Sequence, residues 1–286
     1  MKAAQHLEWN LAHEDLDWSR IEAARVRGTS RVVASKSVVP LRIHNPRAFG
    51  PGCHVLLANY GGGLVDGDTA SLEIICRQGA RLSVGSVGSV QVYSSPIQGA
   101  LQNVRGIVES DALTVFSSDP VVLHTDSVCE QKQEWQVAPD ASLLVADLLV
   151  SGRLETGERF TFKQYAAEIS IHVGEELVIY DRFVFRPSTF NYTDPAVLAG
   201  RSCFLSMYMV GARWSSLAER FIDPLQPMTE PVDSSVLASV HPLEEHGYIF
   251  RAVANKPREL AEFLDWTYDF LEDREFLGFN PRTRKY

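Results

Sequence analysis

Apolar and polar residues alternate in short bursts through the first two thirds of the chain. Leu72-Glu73-Ile74, Arg81-Leu82-Ser83-Val84, Val90-Gln91-Val92-Tyr93 and Leu113-Thr114-Val115-Phe116 alternate or cluster β-favouring residues. Turn signals separate them at Gln78-Gly79, Ser95-Pro96, Ser110-Asp111 and Pro139-Asp140. Phe160-Thr161-Phe162 and Ile169 to Val173 continue the series, and Gly174-Glu175-Glu176 turns the chain so that Leu177 to Tyr180 pairs back as a hairpin. Short strands at this spacing predict a mostly β protein, its stacked sheets forming a sandwich, a barrel or a helical-type arrangement.

Helical periodicity comes late. Trp214, Leu217, Ala218 and Phe221 fall on one face of a short helix that Asp223-Pro224 ends. Leu260, Phe263, Leu264, Thr267 and Leu271 follow the helical repeat, with Pro257 suited to the first helical position and Gly278 to the stop. Gln226 to Ser235, rich in proline and polar residues, reads as a loop. No repeat or low-complexity tail divides the chain. The expectation is one domain over residues 1–286, with a β-rich body over about 25–205 and two helices in the part from about 206 to 286.

Composition narrows the function without naming it. Hydrophobic residues make 45% and charged residues 22%, so the chain can bury an ordinary core. A net charge of −9 gives nucleic acid no electrostatic footprint. It suits a cation or a basic partner, although solubility alone accounts for it. The first twenty residues carry His6, Glu8, Glu14, Asp15 and Asp17 and lack a signal-like apolar core. The longest apolar run, Leu143 to Val150, is too short to span a bilayer and is broken by Asp147. Cys53, Cys76, Cys129 and Cys203 are widely separated and read as buried thiols of a reducing compartment. The expectation is a cytoplasmic protein that engages neither membrane nor nucleic acid.

The densest local signal is Asn59-Tyr60-Gly61-Gly62-Gly63-Leu64-Val65-Asp66-Gly67-Asp68. Glycine is needed where the backbone takes positive φ or meets another group closely, so this loop can fix its aspartates at a sheet rim. No Gly-Lys-Ser/Thr follows, which sets it apart from a nucleotide loop. Asp147 lies inside an apolar run, where a carboxylate is costly unless bonded, paired or facing water or a cation. Two readings stay open: a structural acid holding nearby backbone, or an acid lining a polar channel. Asp181 and Arg182 sit side by side on a strand, so one of them must face the interior or a partner. Asp119, followed by Pro120, is most simply a turn residue. His241 and His246 match no tight zinc spacing, adjacent Cys53 and His54 face opposite sides of a strand, and no nucleophile elbow is present. The residues themselves give no ground for an enzyme.

The loop, the acids and their order together resemble the urease accessory protein UreD family, called UreH in some bacteria. Gly62 to Asp68 looks like that family's glycine-rich signature ending in aspartate, and Ser89 to Tyr93 its next motif. Ser117-Ser118-Asp119-Pro120, Leu144 to Leu148 with Gly152-Arg153 and Gly157 to Phe160, and Ile179 to Arg182 resemble its later blocks. The similarity runs from about residue 25 to the end. Departures are Gly61 for proline, Asp66 for glycine, Gln91 and Ser94 for basic residues, and no tryptophan near Pro281-Arg282.

The resemblance implies a non-catalytic maturation factor that binds UreF and, with the GTPase UreG, loads nickel into apo-urease. It implies no tightly bound cofactor and a transient Ni2+ passage flanked by Asp68, Asp119, Asp147 and Asp181. Gly62, Gly63 and Gly67 would shape the loop. Trp266, Tyr268 and Phe270, on the last helix and its tail, would offer exposed aromatics to the partner. A β-sandwich module for a small ligand or carbohydrate is the alternative, with the glycine loop as rim and Trp135 and Tyr93 as stacking groups.

Overall fold

A computed structural model describes residues 17–46, 50–217, 235–243 and 247–282. His246, most of the Gln226–Ser235 loop, the second half of the helix expected from Trp214 and residues 1–16 lie outside them. The first strands are β1 (Ser19–Val26), β2 (Thr29–Lys36), β3 (Leu41–His44), β4 (Cys53–Asn59), β5 (Gly63–Leu64) and β6 (Thr69–Cys76). Then come β7 (Arg81–Ser86), β8 (Val90–Val92), β9 (Ala100–Val108), β10 (Leu113–Ser117), β11 (Val121–Leu123) and β12 (Val128–Val137). The last are β13 (Ser142–Val150), β14 (Gln164–Val173), β15 (Glu176–Phe185), β16 (Cys203–Gly211), β17 (Val236–Leu243) and β18 (Gly247–Ala254).

The chain is mostly β, in two stacked sheets. From β6 to β14 the long strands fall alternately in one sheet and the other, so the chain winds between them. The first sheet runs β15-β14-β12-β9-β6-β1-β2, with parallel pairing from β1 to β14. The second runs β17-β18-β16-β13-β10-β7-β4-β3, parallel from β4 to β13. Winding puts like ends of successive turns side by side, so loops that follow equivalent strands gather at one rim. The predicted hairpin is β14–β15, turned at Gly174 and Glu175, with a bulge between Ile171 and His172.

β10, β13, β16 and β18 of the second sheet serve two cores because alternate side chains face opposite ways. On β13, Leu143, Val145 and Leu149 point between the sheets, while Leu144, Ala146, Leu148 and Val150 point outward. The outward face is covered by the helix Pro257–Tyr268, which buries Leu260, Phe263, Leu264 and Thr267. Glu259 caps it by accepting the Lys256 N–H at 3.0 Å. The helix stops before Gly278, and Leu271 falls in the 3-10 turn Asp269–Glu272 that follows.

Three local expectations change. Phe160-Thr161-Phe162 is not a strand; Phe160 takes φ +53 and packs its ring on Tyr192 and Phe204 between elements. The described part of the helix expected at Trp214 is the 3-10 segment Ala212–Leu217. Beyond residue 205, β16, β17 and β18 extend the second sheet, so strand structure continues well into the C-terminal third.

Candidate functional site: a polar seam between the sheets

The inter-sheet core is not apolar throughout. A cavity of about 270 Å³ opens in it, lined by Gly62, Val87, Ser118 and Asp119 towards the loops and by Gln102, Gln131, Gln133 and Asp147 deeper in. A second void of about 10 Å³, room for about one water, is lined by Gln131, Gln133, Asp147, Glu168, Asp181 and Tyr208. Gln131, Gln133 and Asp147 belong to both walls and form the partition between them. Asp119, Asp147 and Asp181 thus follow one another along a single seam.

Strand alternation explains how they meet. On β12 the inward positions are Cys129, Gln131, Gln133, Trp135 and Val137; on the facing β13 the inward polar position is Asp147. Gln133 bridges the sheets by donating its Nε2 to both carboxylate oxygens of Asp147, 2.8 Å each. Trp135 Nε1 in turn donates to Gln133 Oε1 at 3.1 Å, which fixes the amide's orientation. The Trp135 ring needs Gly106, where a Cβ would lie 2.1 Å from it. Tyr165 donates to Gln131 Oε1, and Gln131 Nε2 donates to Gln102 Oε1 at 2.7 Å, completing an amide row on the first sheet.

Asp147 is half-buried and lines the cavity wall. Burial pushes its carboxyl up from 3.8 to about 6; the Gln133 hydrogen bond and the Arg251 charge oppose the rise, and the Asp181 charge adds to it. Asp181, inward on β15, accepts from the Tyr208 hydroxyl and from Arg251 Nη2 on the second sheet. Arg182 points the other way, to Glu168 at 3.5 Å. The expectation that one of the pair faces inward therefore resolves in favour of Asp181. Asp119 exchanges bonds with Ser86, whose Oγ accepts the Asp119 N–H at 2.7 Å and donates to its carboxylate at 3.1 Å.

The glycine loop forms the rim. Gly63 passes so close to β8 that a Cβ would sit 2.2 Å from the Gln91 carbonyl oxygen, and Gly62 and Gly67 hold φ of +79 and +86. Asp68 does not line the cavity; its Oδ2 accepts the Val65 N–H at 2.9 Å within its own turn. Asp66 is the loop's clamp. Its carboxylate accepts the N–H groups of Ile97, Gln98 and Gly99 at 3.1, 2.9 and 2.7 Å, which hold its carboxyl below the usual range. Gln91 Oε1 accepts from His124 Nε2 at 2.8 Å, and Ser94 is exposed.

The aromatics chosen for a partner face are a correction. Tyr268 is fully buried with its hydroxyl on Ser117 Oγ at 2.9 Å, and Phe270 packs against Trp214 and Phe276. Trp266 is half-buried against the same core. They face inward because the helix lies flat on the second sheet. Trp135 is likewise fully buried, which removes it as a stacking platform, and Tyr93 meets His124 edge-on. All four cysteines are buried and unbridged, and burial raises their thiols to about 12.

A profile of the UreD urease accessory protein family matches residues 18–285. The chain belongs to the UreD family. The curated UreD of Cytophaga hutchinsonii is 30% identical over 281 residues, spanning 94% of this chain and 98% of its own length. That of Sorangium cellulosum is 30% identical over 93% of this chain and 83% of its own. That of an Anaeromyxobacter strain is 28% identical over 88% and 84%. Membership gives the protein a role in urease maturation. Gln131, Gln133, Tyr208 and Arg251 belong to the seam but did not stand out in the sequence. The signal for the two glutamines was the inward period of Cys129, Trp135 and Val137, hidden in the polar run Glu130 to Glu134. No helix among the described residues is long and apolar enough to cross a membrane.

Proposed function

We propose that this chain is a non-catalytic urease maturation factor that passes Ni2+ along the inter-sheet seam, linking a UreF- and UreG-type complex to apo-urease. The observation that carries this reading is the shared wall: two voids are both lined by Gln131, Gln133 and Asp147. Carboxylates, amides and water hold a borderline ion less firmly than thiolate or imidazole clusters, so the ion is handed on. An ionised Asp147 in this setting is unfavourable alone and is stabilised by an adjacent dication. Asp119 stands nearer the rim and Asp181 beyond the partition; Asp68 sits outside the cavity wall and shapes the loop at its mouth.

The test uses Asp147→Ala and Asp181→Ala in full-length protein co-expressed with a UreF-type partner, a UreG-type GTPase and urease. Nickel per urease active site is expected to fall about tenfold while the accessory complex still co-purifies. Full nickel loading by both variants would refute the passage.

A further inference from the structure

We propose that Arg251 is the resident cation of the seam and gates its far end, holding Asp181 until an arriving divalent ion displaces it. The inference rests on the passage reading above. It starts from strand register: Asp147, Ser206 and Arg251 are direct neighbours across β13, β16 and β18, and all three positions face the first sheet. Arg251 crosses the gap to Asp181, and its guanidinium stacks 5.1 Å above the Tyr208 ring. The void beyond Asp147 therefore ends at a carboxylate already occupied by a positive charge.

Charge counting decides what happens when an ion comes. With both acids ionised and Glu168 balanced by Arg182, Asp147, Asp181 and Arg251 sum to one negative charge. A dication in their midst turns the sum to one positive, and the guanidinium, a like charge at short range, is repelled. The latch is built to let go. Nη2 is bonded to Asp181, but Nη1 is buried with no hydrogen-bond partner, so the guanidinium is only half satisfied where it lies. Its side chain is 40% exposed, which leaves it a route into solvent. Asp181 keeps the Tyr208 hydroxyl when Arg251 leaves, so its carboxylate stays aimed at the void. The arrangement makes Arg251 a positioning residue that couples departure of the ion to its arrival.

Titration calorimetry of the full-length protein with nickel chloride at neutral pH tests this. Arg251→Gln is expected to bind Ni2+ about tenfold more tightly than the wild type, a gain that mere structural damage would not produce. Adding Asp181→Asn to Arg251→Gln should abolish the gain. Arg251→Lys keeps the charge without the planar fork, should give an intermediate gain, and serves the same test if the glutamine variant folds poorly. Wild-type affinity in a folded Arg251 variant would overturn the gate. The two readings fail separately: if Asp147→Asn weakens Ni2+ binding but Arg251→Gln gains nothing, only the gate falls. If Arg251→Gln gains affinity through Asp181 while Asp147→Asn binds normally, Arg251 guards a site at Asp181 and the passage through Asp147 falls.

Discussion

The two faces of the second sheet are built from the same strands and do opposite things. Outside, β10, β13, β16 and β18 present Leu, Val, Met and Phe to the helix and the C-terminal turn, where Trp214, Phe270 and Phe276 stack on one another. Inside, the same strands bring Asp147, Ser206 and Arg251 to the first sheet's Gln131, Gln133 and Asp181 around open space. Along β13, Leu144 lies in the dry core while Asp147, three residues on, lines the cavity. The contrast teaches that the dry face supplies the stability that lets the wet face keep voids and a carboxylate, both unfavourable to folding.

That division can be broken from the dry side first. Trp214 donates to the Leu143 and Val210 carbonyls at 3.2 and 2.9 Å and stacks on Phe276. Trp214→Ala should lower unfolding free energy by about 3–5 kcal/mol in denaturant titration. Nickel affinity of the fraction that remains folded should be unchanged. A comparable loss of stability from Gln133→Ala would erase the distinction between the faces.

Next in size is Asp147→Asn. Because the folded carboxyl titrates near 6 and the unfolded one near 3.8, folding holds the proton more tightly, and wild-type stability falls as pH rises between these values. The penalty is absent below about pH 4, grows through that window and is complete above it, at most about 3 kcal/mol by the conversion of pKa to free energy. Asparagine removes the charge but also one acceptor of the Gln133 amide, so the net gain above pH 7 should be about 1–2 kcal/mol and should vanish in acid. Chemical denaturation at pH 4 and pH 7.5 reads this directly; destabilisation at both pH values would make Asp147 a structural acid.

Gly106→Ala strikes the wet face from behind. Its methyl would push into the Trp135 ring and, through Gln133, misplace Asp147, with a stability loss of about 1–3 kcal/mol. Nickel affinity should drop with it, unlike the Trp214 variant. The smallest effect is expected from Asp66→Gly. Hydrogen exchange should quicken at the Ile97, Gln98 and Gly99 amides and little elsewhere, because the clamp is local and exposed. Below the depressed titration point of Asp66 the wild type should exchange at the variant's rate, since a carboxyl that loses its charge loses its grip.

The strands with clean alternation and the hairpin at Gly174 were readable because period and turn chemistry are local. β12 was not, since Glu130 to Glu134 is polar at every position and its inward glutamines look like surface residues until β13 lies opposite. β16 to β18 were obscured by their place near a helical pattern. For the site, Asp147 and Asp181 stood out because a carboxylate in an apolar run demands a partner. Their partners did not, because Gln133, Tyr208 and Arg251 are set by long-range register. The aromatics of the last helix show the reverse error: Tyr268 and Phe270 are polar-tipped or terminal in the pattern, yet packing on the sheet buries both. Asp66 looked like an intruding charge and proves to be the staple of its loop.

The most direct test of the central claim is nickel-edge anomalous scattering from crystals of the protein soaked in Ni2+ at pH 7.5. A passage through the seam predicts an anomalous peak there, roughly 2 Å from an Asp147 carboxylate oxygen, that disappears in Asp147→Asn. Nickel confined to surface histidines, with the cavity around Asp147 empty of it at saturating metal, would contradict the account.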